Sequence, residues 1–157
     1  MKLSARKDID AANGDVFAAL ADFDSYENLA LRHGAEIQRR DQLQVPGVGM
    51  SWLVRFPFRG RQRQVESRIA TFEPPRRMIL EGHSGGFDFA LTVNLAPLAR
   101  NQTRLAVDFD VKPKTFAARV LLQTLKLGRA RLETRFAARI DSFAALLRQR
   151  LKSGGRA

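Results

Sequence analysis

Cysteine is absent from the 157-residue chain. That excludes disulfide staples, thiolate zinc centres and thiol nucleophiles together, and it fits a reducing compartment. Histidine is scarce: His33 and His83 stand far apart with no spaced carboxylate pair, so no metal site is expected. No apolar run approaches the ~20 residues needed to cross a bilayer. The opening residues, Met1 to Asp8, lack the apolar stretch of a signal peptide. A soluble cytoplasmic protein is the expectation. A phosphate loop is missing too. Ser84-Gly85-Gly86 opens no helix and is followed by no Lys-Ser/Thr pair, so these glycines read as turn residues. His83 and Ser84 are adjacent on a strand, point to opposite faces and make no catalytic dyad. With no repeat or linker in the sequence, one domain over 1–152 with a flexible tail over 153–157 is expected. No cofactor is implied.

Acidic residues thin out toward the C-terminus. Residues 1–111 hold 15 Lys+Arg and 14 Asp+Glu, net +1, whereas residues 112–157 hold 12 Lys+Arg against Glu133 and Asp141, net +10. Such asymmetry points to an anionic partner or to a solvated basic face. Arg119, Lys126, Arg131, Arg135, Arg148 and Lys152 are the candidate contacts to an anionic membrane surface. Nucleic acid fits less well, because no aromatic residues interleave these cations for base stacking.

Apolar residues make up 45% of the chain, enough for a core. A short strand over about Lys2–Asp10 precedes two short helices. Asn13 is the expected N-cap of the first, and Asp24 with Glu27 the capping box of the second. From Ala35 to Val111 the period is two. Met50, Trp52, Val54, Phe56 and Phe58 alternate with polar residues, as do Phe87, Phe89, Leu91, Val93 and Leu95, and Leu105, Val107, Phe109 and Val111. Turn residues at Pro46–Gly49, Arg59-Gly60, Pro74-Pro75, Ser84–Gly86 and Pro97–Asn101 punctuate the runs. Spacing this short means hairpins and an antiparallel meander. One long helix over about Lys114–Leu151 should follow, with Leu121, Leu125, Leu132, Phe136, Ile140, Phe143, Leu147 and Leu151 as its stripe and Gly128 as a bend. The fold class is therefore α+β, a curved antiparallel sheet of about six to seven strands gripping a long C-terminal helix. A sheet curled around one helix leaves a gap, and such gaps hold small molecules.

Several segments resemble one known family: Val16-Phe17 with Ala21-Asp22-Phe23-Asp24-Ser25-Tyr26, then Gly47-Val48-Gly49 before a strand, Phe72-Glu73-Pro74-Pro75-Arg76-Arg77 at a hairpin, and Leu95-Ala96-Pro97 before Asn101-Gln102-Thr103-Arg104-Leu105. In this order they resemble the START-related, Bet v 1-like helix-grip superfamily, in its polyketide cyclase/dehydrase and lipid-transport branch. The resemblance spans about residues 2–150. It implies a holder of lipids, quinones or aromatic polyketides and carries over no catalytic residue.

The residues expected to line a ligand cavity come from six segments. Trp52, Val54 and Phe56 face Arg63, Val65 and Ser67 across the Arg59-Gly60 turn. Met78 and Leu80, then Phe87, Phe89 and Leu91, then Leu105, Val107 and Phe109 follow on successive strands, with Leu125, Leu132 and Phe136 on the helix. Thr71 would point inward with Ser67 and Ile69; a one-residue slip would turn in Glu66 and Arg68 instead. Arg63 or Ser67 is the candidate to orient a polar end of the ligand. Binding or carriage of an apolar molecule is the leading expectation. A cyclase or dehydratase using cavity polar groups, and a membrane-docking module, are the rivals.

Overall fold

The structure, a computed structural model, describes residues 1–154. Its elements run β1 (Lys2–Ile9), α1 (Asn13–Leu20), α2 (Phe23–Arg32), β2 (Glu36–Arg39), β3 (Ser51–Phe58), β4 (Arg61–Glu73), β5 (Arg77–Ser84), β6 (Phe87–Ala99), β7 (Gln102–Pro113), α3 (Phe116–Lys126) and α4 (Arg129–Gly154). The strands form one antiparallel sheet of seven in the order β1-β7-β6-β5-β4-β3-β2. Hairpins join β3 through β7, as the short turn spacing requires.

The turn at Arg59-Gly60 sets the register of the site. Both residues have positive φ, 52° and 73°, which a two-residue hairpin of type I′ demands. Val54 therefore pairs with Val65 and Trp52 with Ser67, as expected from the turn length. Farther along β4 the register shifts by one between Ile69 and Thr71. The extra residue, Ala70, is a β-bulge, and it changes the parity of everything beyond it. Phe72 opposes Met78 on the core side, so Thr71, expected to point inward, faces outward beside Ile79.

The expected single C-terminal helix is two helices. At Gly128 the backbone N–H reaches back three residues to the Leu125 carbonyl (3.0 Å), and Leu127 does the same to Thr124 (3.2 Å). These are 3₁₀ contacts, and α-type bonding restarts with Leu132 N–H donating to Gly128. Glycine's conformational freedom makes it the weak point of the stripe. Thr115 caps α3, its Oγ1 accepting the Ala118 N–H at 3.1 Å. At the other end α4 takes in Ser153 and Gly154, two residues of the expected tail, and residues 155–157 lie outside the described residues.

Both early caps differ from expectation. Ala12, not Asn13, is the N-cap of α1; the Asn13 amide instead donates to the Pro75 carbonyl (2.8 Å) and ties the helix to the β4–β5 turn. Helix α2 begins at Phe23, one residue before Asp24, with Asp22 in the cap position. Glu27 forms no capping box because its carboxylate accepts from Trp52 Nε1 (2.6 Å). Tertiary bonds have outcompeted local ones at both places.

Val16, Phe17 and Leu20 of α1 and Ala144 and Leu147 of α4 close on Ile9, Trp52, Ile69, Met78, Val93, Leu95, Leu105 and Val107. All of these crowd one end of the sheet, the end of the Pro74-Pro75 turn. The opposite end carries the β3–β4 and β5–β6 turns, the last residues of β7, and α3.

Candidate functional site

The inner face of the sheet is built in cross-strand rows. One row reads Trp52, Ser67, Gly82, Phe89, Val111; the next toward the core reads Ile69, Leu80, Leu91, Phe109, Leu3; the third reads Phe72, Met78, Val93, Val107, Ala5. Met78, Val93 and Val107 of the third row are buried under α1 and α4. Toward the other end Val54, Phe56, Val65, Phe87, Phe89, Phe109 and Val111 keep part of their surface accessible. Leu132 and Phe136 of α4 are likewise half-buried, and Phe136 meets the sheet at Phe109. The inner face is thus closed by packed core at the α1 end and carries a half-buried apolar strip, a shallow trough, toward α3.

Gly82 shapes its middle. A β-carbon there would meet the Glu66 carbonyl oxygen at 2.1 Å and Phe89 Cζ at 2.6 Å. The missing side chain lets the Phe89 ring lie down over the strand. Phe89 leans on Phe109 (centroids 5.8 Å), which stacks on Phe136 (6.5 Å), so one aromatic run joins sheet to helix. Ser67 is the polar group in this row, and among the described residues its hydroxyl has no hydrogen-bond partner. Arg63, opposite Phe56, is exposed near the hairpin tip at the open end.

Seventeen residues were expected at the cavity. Trp52, Met78, Leu105 and Val107 lie in or beside the sealed core, and Leu80 and Leu91 border it. Val54, Phe56, Val65, Ser67, Phe87, Phe89, Phe109, Leu132 and Phe136 come together along the trough. Leu125 sits on α3, exposed, and Arg63 at the rim. The bulge and the turn together exclude the slipped register, so Glu66 and Arg68 face outward.

A plug of aromatic and charged groups closes the end near β2. Phe23 packs on Trp52 (5.1 Å), and Tyr26 on Phe143 (5.9 Å). The Tyr26 hydroxyl donates to the Ala19 carbonyl (2.8 Å), and burial pushes its pKa up to about 12. Arg39 lies over the Trp52 ring (5.7 Å) and forks onto Asp41 with bonds of 2.8 and 2.6 Å. That fork, aided by the Ser51 and Leu43 N–H groups, holds the Asp41 carboxyl far below the usual carboxylate range. Asp22 is also lowered, first by the Ser25 hydroxyl and then by Arg150.

The titratable strand residues gather on the outer face. There a groove of about 620 Å³ crosses the rows Ser51, Arg68, Glu81, Ala90, Asp110 and Glu66, His83, Asp88, Lys112, and the intervening Trp52, Ser67, Gly82 and Phe89 line it as well. His83 Nε2 is 2.7 Å from Glu66, Arg68 3.5 Å from Glu81 and Lys114 3.1 Å from Asp88. These three pairs make a solvated ladder, in which Lys112 has no carboxylate partner among the described residues.

The six expected surface cations do not form one patch. Arg119 and Lys126 lie on α3, and Arg131 and Arg135 in the first turns of α4. Arg148 lies 17 residues beyond Arg131, about 25 Å along α4 at ~1.5 Å per residue. Its guanidinium is taken up by the Asp8 carbonyl (2.8 Å), in a cleft of about 510 Å³ with Arg6, Lys7 and Arg104. Lys152 is farther still.

Residues 1–148 match the sequence pattern of the family described as polyketide cyclase / dehydrase and lipid transport. The chain belongs to that family. Among curated proteins none matches this chain. Solved structures agree on the fold. An aromatase/cyclase from Streptomyces sp. R1128 superposes with a TM-score of 0.72 at 14% identity, covering 99% of this chain and 98% of that one. A norcoclaurine synthase point mutant from Thalictrum flavum gives 0.68 at 13% identity, over 96% and 95%. A START superfamily protein from Mycobacterium smegmatis gives 0.56 at 14%, over 85% and 95%. Within this polyketide cyclase/dehydrase and lipid-transport member, sequence reasoning missed Gly82 and the Phe23–Trp52–Tyr26–Phe143 plug. The signal for Gly82 was available: a lone glycine within a strand run marks a bulge or a close approach.

Proposed function

We propose that the protein binds or carries an apolar small molecule, a lipid, quinone or polyketide-like aromatic, in the trough between the inner face of the sheet and α4. One observation carries this reading. Large apolar side chains toward the α3 end, Phe56, Val65, Phe87, Phe89, Phe109 and Phe136, keep accessible surface on the inner face, whereas Met78, Val93, Leu105 and Val107 nearer α1 are buried. Half-covered aromatics are stabilised by whatever removes the remaining area from water, at about 25 cal/mol per Å². The Ser67 hydroxyl and the Arg63 guanidinium are the polar groups placed to orient the ligand's polar end. The family description, which includes lipid transport, supports the same class of ligand.

Cavity acid–base chemistry is less well supported. Among the described residues no carboxylate and no histidine lies on the inner rows of β3–β7; Glu66 and His83 pair with each other on the outer face. The test is native mass spectrometry of the purified protein with organic extraction, backed by titration of fatty acid, quinone and polycyclic aromatic probes. Trp52, the single tryptophan, sits in the Ser67 row and reports occupancy by fluorescence. A co-purifying apolar compound, or saturable quenching weakened by Ser67→Ala or Arg63→Ala, is expected. A protein that stays empty and silent to all three probe classes rejects the reading, and equal affinity in both variants removes the role given to those two residues.

A further inference from the structure

Helix α3 is apolar on two sides, and only one has a partner. Ala118 and Leu122, each 5% exposed, seat it against the sheet. Gly86 in the β5–β6 turn lies so close that a β-carbon there would meet Thr115 Oγ1 at 2.5 Å. At ~100° per residue, Phe116, Val120 and the helical C-cap residue Leu127 fall within about 40° of one another and about 160° from the seated side. They are 82%, 52% and 90% exposed.

Two occupants could cover such a stripe, a second copy of the chain or a lipid surface, and charge separates them. From Lys112 to Arg131 the sequence holds six cations and no acid. Lys114 pairs with Asp88 and Arg129 with Glu133. Among the described residues Lys112, Arg119, Lys126 and Arg131 have no carboxylate partner. Arg119 and Lys126, seven residues apart, run along one flank of the stripe. Two copies placed face to face would bring these like charges together, whereas an anionic bilayer offers phosphates to the cations and acyl chains to the stripe.

We propose that α3 is an interfacial helix that docks the protein on anionic membranes. Phe116, Val120 and Leu127 enter the headgroup–acyl boundary, and Lys112, Arg119, Lys126 and Arg131 hold the phosphates. Because α3 stands at the open end of the trough, docking turns the mouth toward the bilayer. The docking itself does not depend on what the trough binds.

The experiment is flotation with vesicles of phosphatidylcholine alone and of mixed phosphatidylserine and phosphatidylcholine. Wild type is expected on the mixed vesicles, with release by salt, and not on phosphatidylcholine. Arg119→Gln with Lys126→Gln should lower partitioning about thirtyfold, fivefold per cation. A variant carrying Phe116→Ser, Val120→Ser and Leu127→Ser should lose at least tenfold at unchanged charge. All five positions are exposed, and an unaltered thermal melt checks the fold. No binding by wild type at low salt overturns the proposal, as does undiminished binding by both variants. So does a wild-type dimer that the triple variant abolishes. Capture of soluble probes is read separately, so failure here leaves the trough reading standing.

Discussion

Gly82→Ala tests the link between the sheet's register and the shape of the trough. The new methyl would lie 2.1 Å from the Glu66 carbonyl oxygen and 2.6 and 3.0 Å from Cζ and Cε1 of Phe89. The ring can rotate away; the carbonyl cannot, because it belongs to the β4 backbone facing Gly82 across the ladder. Relief requires β4 and β5 to part by about 1 Å where Ser67 opposes Gly82, since atoms in protein interiors are already close-packed. Overpacking of a core costs about 1–3 kcal/mol, and a backbone neighbour puts this site at the upper end. In a domain of this size each kcal/mol moves Tm by about 2–4 °C, so a loss of about 6–12 °C is expected in a circular dichroism melt. Gly14→Ala is the matched control. Nothing lies within 4 Å of its β-carbon, it sits in the first turn of α1, and it should shift Tm upward or not at all. A Gly82→Ala protein melting within 2 °C of wild type would refute the packing argument. The displaced Phe89 ring would also lean into the trough, so probe affinity should fall in parallel.

The sealed and open ends should respond differently to truncation. Leu147→Ala, fully buried in the core cluster, should cost about 3 kcal/mol in urea unfolding, and Val65→Ala, on the trough wall, under about 1 kcal/mol while weakening probe binding; equal costs would contradict the division. Acid should destabilise the fold through Asp41, whose carboxyl lies far below its unfolded value. A lowered carboxylate contributes stability above the unfolded pKa of about 3.9 and loses it as pH falls through the folded one. Tm should therefore drop below about pH 4 in wild type and change less in Asp41→Asn, and identical acid profiles would dismiss the fork as a stability determinant.

Much of the architecture was legible because it rests on local rules. Period two, and a glycine that can close a type I′ turn, fixed β3 against β4 down to the Val54–Val65 pair. What failed did so where distant atoms outbid near ones. Glu27 was spoken for by the Trp52 indole, 25 residues away, before any backbone N–H of α2. Arg148, one of several cations on the helix, was claimed by the carbonyl of Asp8 in an edge strand. The bulge at Ala70 leaves no mark in the alternation of a strand already mixed in polarity, so the parity of Thr71 could not be read in advance.

The break at Gly128 shows how a small misreading bears on function. As a single helix from Lys114 to Leu151, the stripe Leu121, Leu125, Leu132, Phe136 would all face the sheet. With the break, α4 keeps Phe136, Ile140 and Leu147 on the core, while α3 seats Ala118 and Leu122 and leaves Leu121 and Leu125 exposed. The periodicity of apolar residues is the same in both descriptions; what differs is the side of the helix that meets solvent. A stripe that had served as filling becomes, on α3, surface at the mouth of the trough. Replacing Gly128 with alanine separates the two. Its β-carbon would find only the Leu125 carbonyl, at 3.8 Å, so there is room for it, and alanine favours helix by about 1 kcal/mol. If the bend is what keeps α3 off the trough, Gly128→Ala should raise helicity at the junction, slow entry of apolar probes and lower vesicle partitioning together. A variant with faster or unchanged entry and undiminished partitioning would show that the seat on Gly86 and the Thr115 cap hold α3 in place without help from the break.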